Sequence, residues 1–144
     1  MSTLSIDKLF VYGTLLNQEI LQTLLGYVPE MSSASIDGFQ RHAVRDDVYP
    51  AVRPDANHTV EGMILYGLSS RDFEMLDHFE GESYDRVPVI AQQRSESCMG
   101  DVECYLYVIQ AHFYEWLEPR DWCNETFRRE TLDDYLMMLA SSPD

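Results

Sequence analysis

Positive charge is scarce in this chain. Ten Lys and Arg face 25 Asp and Glu, for a formal net charge of −15 at pH 7. Such a surface repels nucleic-acid phosphates and anionic bilayers, so neither nucleic acid nor membrane is expected as a partner. The acidic residues are spread along the chain rather than gathered in a tail, the pattern of a solvated surface. No apolar run approaches the roughly 20 residues that cross a bilayer, and MSTLSIDKLF lacks the apolar core and small-residue cleavage site of a signal peptide. A cytoplasmic location is therefore expected. Cys98, Cys104 and Cys123 form neither an even disulfide framework nor a CxxC pair, so reduced thiols are expected. His42, His58, His78 and His112 fall in no HxxxH or HExxH pattern. No metal and no cofactor is expected. A serine or cysteine nucleophile is equally unsupported, with no GxSxG and no cysteine in an activating context.

What is present suffices for one domain over residues 1–144: 45% apolar residues and enough length to bury roughly 70% of the unfolded surface. KLFVY, residues 8–12, reads as a buried first strand, and QEILQTLL, 18–25, as a helix with Ile20, Leu21, Leu24 and Leu25 on one side. Residues 34–45 read as extended with a bend at Asp37-Gly38, and Pro50 and Pro54 bound an expected loop around YPAVRP. VEGMILYGL, 60–68, is strand-like. Residues 84–92 and 101–109 suggest an antiparallel hairpin across the loop RSESCMG, with Pro88 at an edge or bulge. Phe113, Tyr114, Trp116, Leu117 and Trp122 form an aromatic patch. A final helix over about 124–140 docks on the body through Phe127, Leu132, Tyr135, Leu136 and Leu139.

Two stretches carry possible chemistry. Before LDHFEGESYDR, 76–86, Ser69 is an expected helix N-cap with Asp72 three residues on, and Gly81 is the natural stop. Glu80 is then the last helical residue and projects toward the apolar side with Phe73 and Leu76. There both burial and the negative helix end oppose its ionisation, which raises its pKa toward the range a general base needs. A structural carboxylate paired with Arg86, or an exposed residue at a frayed end, accounts for the pattern equally well. The raised pKa requires Arg86 to contact backbone or another acid instead. VYGTLLNQ, 11–18, places Gly13 after a buried strand, where successive amides can cradle a carboxylate or oxyanion; it also reads as an ordinary strand-to-helix turn. Tyr84, Tyr105 and Tyr107 are possible pocket residues, although strand aromatics are more often core.

Taken in order and spacing, VYGTL, YPA at 49–51, VEGMILYGL and D-x-F-E-G-x-x-Y-x-R at 77–86 resemble the gamma-glutamylcyclotransferase-like superfamily. The likeness covers roughly residues 8–140. The branch it most resembles is that of the plant avirulence-induced-gene-like proteins and the gamma-glutamylamine cyclotransferases, with DGFQR at 37–41 and the tryptophan-rich C-terminal segment similar to the plant members. The resemblance implies an α+β fold, a small mixed parallel and antiparallel β-barrel flanked by helices, with the C-terminal helix docked on the body. It places the catalytic glutamate at Glu80 and a substrate-binding loop at Tyr12, Gly13, Thr14, Leu15, Leu16 and Asn17. Position 14 is Thr where many members have Ser. The implied partner is a small γ-glutamyl compound, cyclised by its own α-amine to 5-oxoproline with release of an amine or amino acid. The region beyond Tyr107 would read the leaving amine. Removal of a γ-glutamyl protecting group in a biosynthetic pathway, or ligand binding without turnover, remain the alternatives.

Overall fold

The computed structural model describes residues 6–95 and 98–140. Five strands, β1 (Leu9–Val11), β2 (Glu30–Ala43), β3 (Pro50–Tyr66), β4 (Tyr84–Ser95) and β5 (Cys98–Ile109), close a barrel in the order β1-β3-β2-β4-β5. β1 runs antiparallel to β3 and parallel to β5, which it meets at Leu9↔Tyr105. The β2–β3, β2–β4 and β4–β5 pairings are antiparallel. This is the mixed α+β barrel that the family resemblance implies. KLFVY is apolar throughout because both of its faces are covered. Phe10 points into the barrel with Ile64 and Leu106, while Leu9 and Val11 pack outward against the helices.

The expected loop around YPAVRP is instead the start of β3. Pro50 pairs with Ala43, and Ala51 and Val52 are fully buried. The prolines are tolerated by position: Pro50 opens the strand, and Pro54 pairs with Phe39 at the register shift that follows Asp37. That shift is the bend expected at Asp37-Gly38. Pro88 pairs with Tyr105 of β5, and β2 joins β4 only further on, at Gln92 and Gln93, so Pro88 occupies an edge as expected. The hairpin β4–β5 closes more tightly than RSESCMG implied, pairing as far as Ser95↔Cys98; residues 96–97 of that loop lie outside the described residues. Cys104 and Cys123 are free thiols, and the side chain of Cys98 also lies outside them.

Helix α1 (Gln18–Leu25) follows β1 through a short 3-10 turn, Thr14–Leu16. Helix α2 (Ser70–Glu80) begins with the expected cap. The Ser69 hydroxyl accepts from the Asp72 amide at 3.1 Å, and Asp72 Oδ2 accepts from the Ser69 amide at 3.0 Å and from the Tyr27 hydroxyl at 2.6 Å. Ser69→Ala is expected to cost about 1 kcal/mol. In a thermal melt that is a fall of about 4 °C in Tm. An unchanged Tm would mean that water replaces the hydroxyl.

The single helix expected over 124–140 is two: α3 (Asn124–Glu130) and α4 (Leu132–Ala140), parted at Thr131, whose φ is −131°. Two helical hydrogen bonds persist at the pivot: the Thr131 amide donates to Phe127 O at 2.8 Å and Thr131 O accepts from the Tyr135 amide at 2.9 Å. The break allows Phe127 and Leu132 both to be buried, and it brings the Tyr135 ring against Phe79 and Phe127. The aromatic patch also divides. Phe113 and Trp116 stack at 4.4 Å in the 3-10 segment Ala111–Trp116, whereas Trp122 packs on Phe127 and donates its indole N–H to Val48 O at 2.7 Å. No helix among the described residues is long and apolar enough to cross a membrane.

Candidate active site

A cavity of about 100 Å³ opens at one end of the barrel. Its walls come from β1 and the turn after it (Phe10 to Leu15), from the entry to β3 (Tyr49, Pro50), from the end of α2 (Phe79, Glu80), from Tyr84 and Tyr107 on the hairpin, and from Tyr135 on α4. Each element brings its side chain for a local reason. The capping box fixes where α2 starts, and Gly81, at φ +86°, ends it one residue after Glu80. Tyr84 begins β4 three residues later and donates to Pro50 O at 3.0 Å.

Glu80 is half-buried as a residue and lines the cavity, where its carboxyl group is desolvated. Enclosure, and secondarily the charge of Asp77 one turn earlier, push its pKa up to about 8. Asp77 behaves oppositely. Burial works to raise its pKa, but hydrogen bonds from Arg86 and Tyr107 prevail and hold it below the usual carboxylate range. Arg86 contacts Asp77 through two bonds, Nε–Oδ1 at 2.9 Å and NH2–Oδ2 at 3.2 Å, and Tyr107 donates to Oδ1 at 2.6 Å. The guanidinium lies over the rings of Phe73 and Tyr105, at 4.4 and 4.3 Å from their centroids. Arg86 therefore pairs with another acid, as the raised pKa of Glu80 demanded.

Five phenols surround Glu80: Tyr12, Tyr49, Tyr84, Tyr107 and Tyr135. Burial foremost, with the Glu80 charge contributing in every case, raises the pKa of each; that of Tyr49, which also bonds Asp47, is pushed up to about 12. All five stay protonated at neutral pH. No Lys, Arg, His, Ser or Cys lines the cavity among the described residues. Nor do those residues contain a cluster of three or more His, Cys, Asp or Glu able to hold a metal ion.

The turn at 12–17 divides. Tyr12, Gly13, Thr14 and Leu15 line the cavity; Leu16 and Asn17 do not. The amides of Leu16 and Asn17 are spent within the turn, donating to Gly13 O at 2.9 Å and Thr14 O at 3.1 Å. Asn17, 1% exposed, bonds Thr14 O through Nδ2 at 2.9 Å, and its Oδ1 accepts from Arg128 at 2.8 Å. It braces the turn from behind. Among the described residues the amides of Gly13, Thr14 and Leu15 donate to no protein acceptor in the turn. A 3-10 turn leaves its first N–H groups without internal partners. Three consecutive free amides beside an enclosed carboxyl can receive an anion or a polarised carbonyl. Of the three candidate tyrosines, Tyr84 and Tyr107 reach the cavity and Tyr105 covers Arg86 instead. Tyr49 and Tyr135 escaped the sequence reading; Tyr49 stands in YPA, and Tyr135 was assigned only to a docking face.

The closed, mixed five-strand barrel with flanking helices is the fold seen in solved gamma-glutamyl cyclotransferases. Residues 9–124 match the family described as gamma-glutamyl cyclotransferase, AIG2-like, and the chain belongs to that family. AIG2-like protein C of Arabidopsis thaliana is 33% identical over 136 residues, spanning 89% of this chain and 73% of that protein. AIG2-like protein A of the same plant is 32% identical over 117 residues, covering 79% and 71%. A solution structure from Arabidopsis thaliana superposes with a TM-score of 0.68 at 25% identity, covering 99% of this chain and 98% of the other. A gamma-glutamyl cyclotransferase structure shares the fold at a TM-score of 0.60 and 13% identity, covering 96% and 89%.

Proposed function

We propose that the protein is a γ-glutamyl cyclotransferase that releases 5-oxoproline from a γ-glutamyl amine or amino acid, with Glu80 as its proton carrier. The observation that carries this reading is the Glu80 carboxyl, its pKa pushed up to about 8, in a cavity lined by no Ser, Cys, Lys or His among the described residues. An ordinary glutamate, at about 4.3, is far too weak a base to deprotonate an α-ammonium; the raised pKa of Glu80 narrows that gap and makes the proton exchange much less uphill.

Glu80 takes one proton from the α-ammonium, and the freed nitrogen attacks the substrate's own γ-carbonyl carbon, forming the ring C–N bond. The carbonyl oxygen gains negative charge, and the amides of Gly13, Thr14 and Leu15 are the donors available to it or to the substrate carboxylate. Collapse breaks the bond to the departing amine. Glu80 returns its proton to that amine, and the second proton lost by the attacking nitrogen follows to solvent or to the same amine. Ring closure needs no protein nucleophile because attacker and target are tethered, an arrangement worth effective molarities of about 10⁵ M or more.

The test is 5-oxoproline release from a panel of γ-glutamyl amines and γ-glutamyl amino acids. Release is expected from at least one. Binding without release from any of them would make this a ligand-binding module. Asp77 and Arg86 supply a second check. Asp77→Asn removes a negative charge near Glu80 and strands the Arg86 cation, so both effects lower the Glu80 pKa. Arg86→Met leaves Asp77 unneutralised and raises it. The midpoint of the acidic limb of kcat/KM, where Glu80 ionises, is expected to move to lower pH in the first variant and to higher pH in the second. Shifts in the same direction would exclude Glu80 as the titrating group.

A further inference from the structure

We propose that Arg41, which lies outside the cavity, is a positioning residue for the reaction: by holding the Tyr12 carbonyl it aims the Gly13 amide at the substrate. This inference rests on the cyclotransferase reading.

In a trans peptide the C=O and N–H bonds point in opposite directions, so whatever fixes a carbonyl fixes the amide of the next residue. Three successive carbonyls of the turn are fixed. Gly13 O and Thr14 O are taken from within it, by Leu16 N and by Asn17 N and Nδ2. Tyr12 O is beyond the reach of that 3-10 pattern and is bonded instead by Arg41 NH1 at 2.7 Å, from β2. Arg41 thus sets the one amide of the nest that the turn's own hydrogen bonds do not set.

The guanidinium is itself immobilised. Nε and NH2 grip the two carboxylate oxygens of Asp121 at 2.8 and 3.3 Å, and its centre lies 5.7 Å from the Trp122 ring. Its side chain is 19% exposed. One planar fork therefore spans from the C-terminal segment to the turn, a task that the single ammonium of a lysine cannot perform in that geometry. The segment carrying Asp121 is pinned to the barrel in turn, since the Ala43 amide donates to Arg120 O at 2.9 Å and the Glu118 amide to Ala43 O at 2.8 Å. Trp122 also holds Val48 O, one residue before Tyr49 of the cavity wall.

The experiment compares wild type, Arg41→Lys, Arg41→Ala, Asp121→Asn and the inactive control Glu80→Gln, measuring kcat, KM, their pH profiles and Tm, with and without added guanidinium ion. Misplacement of a reacting group by 1 Å can cost about 100-fold, so kcat/KM is expected to fall about 10- to 100-fold in both Arg41 variants and less in Asp121→Asn. The midpoint of the pH profile stays in place because Glu80 is untouched, and Arg41→Lys melts near wild type. Guanidinium restores part of the Arg41→Ala rate and none of the Glu80→Gln rate. Wild-type rates in the Arg41 variants, or losses that follow Tm with no rescue, overturn the inference while wild-type turnover upholds the cyclotransferase reading. A wild type that turns over no conjugate overturns both.

Discussion

Glu80→Gln is expected to lower kcat by about 100- to 10,000-fold, the usual span for loss of a positioned general base, while making the protein more stable at alkaline pH. The two effects share one cause. A folded-state pKa of about 8 means that the folded chain holds this proton more tightly than the unfolded chain does. The unfolded chain releases the proton at about pH 4.3. Below that value Glu80 is protonated in both states and costs nothing. As pH rises from there toward 8, the unfolded state ionises first and stability is lost progressively. Above 8 the loss is complete, several kcal/mol at about 1.4 kcal/mol per pH unit. Glutamine carries no such charge. The Tm of Glu80→Gln should equal that of wild type near pH 4–5 and exceed it by a widening margin toward pH 9. A margin that narrows with pH would show that Glu80 is ionised and satisfied in the folded state, and would remove the basis for its role as base.

Glu80 was legible in the sequence because everything that places it is local. Ser69, Asp72 and Gly81 fix both ends of α2 within thirteen residues, and helical periodicity then settles which face carries the carboxyl. The first strand was legible for a similar reason, since an uninterrupted apolar run needs two buried faces. What escaped depends on contacts between distant parts of the chain. Pro50 and Pro54 looked like loop boundaries because their effect on a strand depends on where the partner strand lies, and only the pairing with Ala43 and Phe39 shows that neither costs a ladder bond. The pivot at Thr131 carries no Gly or Pro; it follows from burying Phe127 and Leu132 against one core. Arg41 and Asp121, 80 positions apart, had nothing to join them in the sequence. The family resemblance groups Leu16 and Asn17 with the nest, whereas the turn's hydrogen bonds direct their amides inward to the turn itself.

Gly13→Ala is expected to lower kcat/KM by about 100-fold with the base intact. Gly13 lies against Pro50, and a Cβ at position 13 would stand 2.6 Å from Pro50 Cγ and 2.8 Å from its Cδ. A proline ring has no rotamer into which it can retreat. It is further held by pairing with Ala43, and its carbonyl accepts the Tyr84 hydroxyl. The turn must therefore give way, carrying with it the amides of Gly13, Thr14 and Leu15, and a shift of order 1 Å at such donors costs about 100-fold. Overpacking also destabilises, by about 1–3 kcal/mol, so this variant loses stability where Glu80→Gln gains it. Its pH profile should keep a midpoint near that of wild type, because Asp77, the charge that helps to set the Glu80 pKa, is untouched. Pro50→Ala removes both atoms that the new methyl would strike. The double variant Gly13→Ala, Pro50→Ala should accordingly recover part of the rate lost in the single one, a coupling measurable as a double-mutant cycle. Full activity in Gly13→Ala alone would mean that the turn does not hold the substrate. Additive losses in the double variant would place the role of Gly13 elsewhere than in its approach to Pro50.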